Sequence, residues 1–102
     1  MRYQLVVQIR PACSKDFDRL VNWEAALIGH LATSAELDGH DLGTGEFNLF
    51  IFTDNPSDTF RKIQGAPETE SFSQSTTAAY RPVDGEDYVV IWPRGLKRFE
   101  IA

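Results

Sequence analysis

The run EFNLFIFT, residues 46–53, decides how this chain is read. Aromatic and branched side chains fill it, which is strand chemistry. Period two puts Phe47, Leu49 and Ile51 on one face and Asn48, Phe50 and Phe52 on the other. With apolar side chains on both faces, it is expected in the middle of a sheet, where both neighbours are paired.

Working outward, Gly43-Thr44-Gly45 supplies turn chemistry just before this run. Residues 36–42 precede the turn and make a weak strand, with Leu37 and Leu42 as its large apolar residues. It carries Glu36, Asp38, His40 and Asp41, the charge that protects a sheet edge. Downstream, Asn55-Pro56-Ser57-Asp58 reads as a helix start, with a cap, a proline at the first helical position and an acid in the first turn. Phe60 and Ile63 form the buried stripe of that helix, and Gly65 is its stop.

At the N-terminus Tyr3, Leu5, Val7 and Ile9 alternate along a half-buried strand that Pro11 ends. A helix is expected over 14–31, capped by Ser14 and burying Phe17, Leu20, Val21, Leu27, Ile28 and Leu31. Residues 66–77 read as a mobile loop. Residues 78–83 and 87–92 flank Asp84-Gly85-Glu86 as a hairpin, and Pro82 marks its first arm as an edge strand. Phe99 and Ile101 offer a last short strand. The order β-α-β-β-α-β predicts an α+β, ferredoxin-like sandwich over residues 1–102, one domain. Its antiparallel sheet has two helices on one face and an extra C-terminal hairpin strand.

Composition narrows the function. The chain has 102 residues, ten Lys and Arg against fifteen Asp and Glu, a net charge of −5 and a pI near 4.8. Nucleic-acid binders gain affinity from basic side chains on phosphates, so nucleic acid is not an expected partner, whereas a basic protein is permitted. No apolar run approaches a membrane span, and MRYQLVVQIR does not read as a secretory signal, so none is expected. The single Cys13 cannot form an internal disulfide, which favours the cytoplasm. No motif for a cofactor is present in the sequence.

The hairpin end gathers the candidate binding residues: Asp38, His40, Asp41 and Glu46, with Cys13 at the same end of the sheet. Histidine with carboxylates ligates metals and moves protons. Strand alternation points Asp38 and His40 together and Asp41 away, which splits the set. The calcium-loop pattern also fails, because Leu42 stands where an oxygen ligand is needed. No metal is therefore assigned. Cys13 precedes a helix start, where a thiolate is stabilised, but with neither a Cys-x-x-Cys pair nor a nearby histidine it reads as inert. His30 suits the C-terminal end of its helix. Glu24 falls inside the apolar stripe of the first helix, a possible buried acid that needs a Tyr or Arg partner, solvent or a rotated helix. On the sheet face away from the helices, Phe50, Phe52 and Trp92 would form an apolar patch fit for a homodimer. The C-terminal segment 96–101 could cover the same face. An RNA-reading platform is disfavoured, because Glu46 stands where a positive residue is wanted and Asn48 where a small one is.

The stretches DGHDLGTGEFNLFIFTDNP (38–56) and AAYRPVDGEDYVVIWP (78–93) resemble a group of small bacterial proteins with a ferredoxin-like fold. The matching positions are Asp38, Gly39, Gly43, Gly45, Glu46 and Asn48 on the hairpin. The resemblance implies a fold and a bacterial cytosolic setting, and carries no reaction with it. The chain also resembles acylphosphatases in gross topology, but RPACSKDF (10–17) lacks their phosphate-cradling loop and arginine, so that activity is not expected.

The leading expectation is a non-catalytic protein-interaction or regulatory module, homodimeric through the open sheet face. One alternative is a small-molecule or metal-binding protein, an enzyme being one form of it, using the acidic hairpin. The other is an immunity protein that neutralises a basic toxin.

Overall fold

A computed structural model describes residues 2–10, 17–32, 34–43, 45–66, 69, 75–96 and 99. The elements are β1 (Tyr3–Ile9), α1 (Phe17–Leu31), β2 (Glu36–Gly43), β3 (Glu46–Thr53), α2 (Pro56–Gln64), β4 (Thr76–Pro82) and β5 (Val89–Trp92). They build an α+β fold with one antiparallel sheet in the order β2-β3-β1-β4-β5. The charged strand β2 is at an edge, and the two alternating strands β1 and β3 pair in the interior. β4 lies between β1 and β5, so Pro82 does not make it an edge strand. The proline is the last residue of β4, where a missing amide costs the ladder little. No helix among the described residues is long and apolar enough to cross a membrane.

Both helices pack on the face formed by Leu5, Val7 and Ile9 of β1, Phe47, Leu49 and Ile51 of β3, and Ala78 of β4. α2 starts as its residues dictate: the Asn55 side chain accepts the Asp58 amide at 3.1 Å, and Pro56 follows the cap. The Thr53 and Thr59 hydroxyls meet at 2.7 Å and pin the helix to the end of β3. At the other end Gly65 has φ −83°, so the helix stops without a left-handed residue.

α1 differs from expectation in its rotation. Leu20, Trp23, Leu27 and Leu31 are buried, Val21 is half-buried and Ile28 is 59% exposed. Trp23 turns the stripe, because its large ring fills the core while its Nε1 donates to Thr69 Oγ1 at 2.8 Å. The Ser14 cap and Cys13 lie outside the described residues, as do most of 66–77 and Ile101. Thr76 and Thr77 of that expected loop already belong to β4.

The other sheet face, here the outer face, presents Gln4, Val6 and Gln8 of β1, Glu46, Asn48, Phe50 and Phe52 of β3, and Ala79 of β4. This face is not an open apolar surface. Val6, Gln8, Glu46, Asn48 and Ala79 are buried within the one chain, and Phe50 and Phe52 are half-buried.

Candidate functional site

Strand β2 holds most of the hairpin residues singled out in the sequence, and a bulge sorts them. Leu37 pairs with Ile51 and Gly39 with Phe50, which leaves Asp38 as the extra residue. Gly39 takes φ +142°, a backbone state that favours glycine. The inserted residue shifts the alternation, so Leu37, His40 and Leu42 share the helix-covered face through their partners Ile51, Leu49 and Phe47. Asp41 lies opposite Asn48, on the outer face. The expectation that Asp38 and His40 point together is thus corrected: regular alternation does not survive the bulge.

His40 meets Glu24 of α1, with Nδ1 and Oε1 2.8 Å apart. Its ring stacks on Phe47 at 5.1 Å and 20°, and lies edge-on to Phe17 at 5.8 Å. The Glu24 side chain is 14% exposed and finds histidine rather than the expected Tyr or Arg. A carboxylate on one ring nitrogen fixes an imidazole's orientation and leaves the other nitrogen to donate, accept or ligate. Among the described residues no group of three or more His, Cys, Asp and Glu could hold a metal ion. His30 sits at the end of its helix, where its Nε2 contacts the Lys62 carbonyl of α2 at 2.9 Å.

Glu46 does not join this cluster. Its side chain is 0% exposed on the outer face, paired with Arg10 Nη2 at 2.5 Å, while the Arg10 side chain is 59% exposed. Asn48 Nδ2 donates to Glu46 Oε1 at 3.2 Å, and Gln8 Nε2 donates to Asn48 Oδ1 at 3.1 Å. Gln8 and Asn48 are direct cross-strand partners, so the chain of bonds fastens the register of β1 against β3. Sequence reasoning missed Arg10 and Gln8 here. The available signal was parity: Gln8 of β1 and Arg10 just past its end are two residues apart, as are Glu46 and Asn48 on one face of β3.

The apolar trio separates too. Trp92 is the partner of Ala78 on the helix-covered side and sits 6.4 Å from the Phe60 ring. Phe50 and Phe52 remain on the outer face without it.

What stays exposed is the acidic margin of β2. Glu36, Asp38 and Asp41 are exposed, and none has an ion-pair partner among the described residues. Leu42 beside them is 43% exposed. No protein-family model, curated protein or solved structure matches the chain, so the site is read from its own geometry.

Proposed function

We propose that this chain is a non-catalytic interaction module that binds a basic, extended segment of a protein partner along β2. One observation carries the reading: three exposed carboxylates, Glu36, Asp38 and Asp41, stand without an ion-pair partner on a strand with a sheet neighbour on one side only, among the described residues. A free sheet edge offers backbone donors and acceptors to an added strand, and charge selects which strand is accepted. The bulge at Asp38 confines regular pairing to the stretch after it, where Asp41 faces one side and the exposed Leu42 the other. Glu24 and His40 brace this stretch against α1. A basic toxin is one partner with the right chemistry. As to fold, we read the first six elements as a ferredoxin-like unit with β5 added outside β4, and the order β2-β3-β1-β4 supports that reading.

A dimer through Phe50, Phe52 and Trp92 is not carried forward. Those residues do not share a face, and the centre of the outer face is buried within one chain.

The test is capture from the native host, followed by rebinding of the purified partner to wild type and to the variant Glu36→Lys/Asp38→Lys/Asp41→Lys. The reading expects a basic partner, an affinity that falls with added salt, and about tenfold or greater weakening in the variant. An acidic partner, or equal binding by both proteins, sinks it. All three positions are exposed, so circular dichroism should show an unchanged fold.

A further inference from the structure

Among the described residues, the two helices leave part of the helix-covered face uncovered. α2 is only nine residues long, and beyond its last turn β4 presents Thr76 and β5 presents Trp92. The space left between α2, β1 and the β4–β5 pair is a pocket of about 320 Å³. Val7 and Ile63 provide branched aliphatic walls, and the Phe60 and Trp92 rings provide aromatic ones, inclined at 42°. This pocket is far from the acidic margin of β2, on the opposite side of the sheet order, and plays no part in the function proposed above.

We propose that this pocket is a binding site for a small, neutral, fused-ring aromatic molecule that carries a hydrogen-bond acceptor. Each attribute follows from the walls. The volume lies at the lower end of ligand sites, and an apolar cavity of about 150 Å³ already holds benzene, so two fused rings suit this one. Two aromatic faces favour a planar guest. Among the described residues none of the lining side chains is ionisable, so a charged guest would lose its hydration without a counter-charge from them. The acceptor is selected by Thr69, whose Oγ1 already accepts from Trp23 Nε1 and whose own proton is left to donate. Gln64, exposed at the rim, adds an amide that can reach the polar edge of the guest.

Quinoline is a suitable probe, with two rings, one acceptor nitrogen and no charge at neutral pH. Titration followed by amide chemical shifts should saturate, with the shifts confined to Phe60, Ile63, Thr76 and Trp92 and their neighbours. Naphthalene-2-carboxylate, of similar size but charged, should bind at least about tenfold more weakly. Gln64→Trp fills the mouth from an exposed position and should abolish the quinoline shifts while leaving the rest of the spectrum in place. Trp92→Phe should weaken binding without closing the pocket. The proposal is overturned by shifts that never saturate, by equal affinity for the carboxylate, or by unchanged quinoline binding in folded Gln64→Trp.

Discussion

Glu46 and Glu24 are both carboxylates drawn in from solvent, and the fold treats them differently. Glu46 is wholly withdrawn from water, and its charge is met by a guanidinium that itself reaches solvent. Two further amides, those of Asn48 and Gln8, extend that contact across the central strand pair. Glu24 stays at the margin of the core, where one histidine from an edge strand answers it. Burial thus sets what a carboxylate needs. A fully enclosed one requires a permanent cation and a hydrogen-bonded frame, whereas a marginal one manages with a partner whose charge depends on protonation.

The sharpest way to break this contrast is to remove the cation from Glu46. Arg10→Met should destabilise the protein by about 3 kcal/mol, the lower end for breaking a buried ion pair, because Asn48 still donates to the carboxylate and water can approach from the side that Arg10 exposes. Removing both charges in Arg10→Met/Glu46→Leu should recover much of the loss, leaving about 1 kcal/mol for the unanswered Asn48 amide. Urea unfolding midpoints measure both. A loss below about 0.5 kcal/mol in Arg10→Met, the range of ordinary surface changes, would mean that Glu46 does not depend on its guanidinium, and the distinction between the two acids would collapse.

The histidine side of the comparison depends on the bulge, since the extra Asp38 is what turns His40 toward α1. Gly39→Ala should cost about 1–3 kcal/mol, and the cost is conformational, because an added Cβ meets nothing within 4 Å at φ +142°. Gly29 is the matched control. It lies in α1 with equally open space around it, and Gly29→Ala should stabilise by up to about 1 kcal/mol through helix propensity. Opposite signs for the two substitutions, read from the same unfolding curves, support the bulge as the device that places His40. Equal signs would mean that Gly39 carries no conformational demand.

These residues also separate what a linear reading can reach from what it cannot. β1 and β3 were legible because their alternation is regular over seven and eight residues and each apolar set stays on its own face. The edge position of β2 was legible from its charge, and the start of α2 from Asn55 and Pro56. The bulge was not. Asp38-Gly39 looks like ordinary turn-prone sequence, and which residue is extra depends on the register against β3, a property of the pair rather than of either strand. The rotation of α1 was ambiguous for another reason. Apolar residues occupy more than one face of that helix, and Trp23, at i+3 from Leu20 and i−4 from Leu27, draws the stripe away from Ile28; the expected stripe omitted it. The Arg10–Glu46 contact spans 36 positions of chain, so it emerges only once β1 and β3 are laid side by side.

The smallest expected effect tests Glu24 against His40 directly. Both side chains are partly exposed, so their attraction is weakened by water and salt, and the pair should contribute only about 0.5–1 kcal/mol. Single replacements mislead here, because His40 also stacks on Phe47 and its loss would remove that contact as well. A double-mutant cycle with Glu24→Gln and His40→Gln cancels the stacking term, which is common to both backgrounds, and isolates the coupling. A coupling energy near that range places Glu24 with marginal acids, as its geometry does. A value above about 2 kcal/mol, the scale of interactions at enclosed sites, would put Glu24 beside Glu46 and make the edge histidine a structural anchor of α1 rather than a brace for the binding strand.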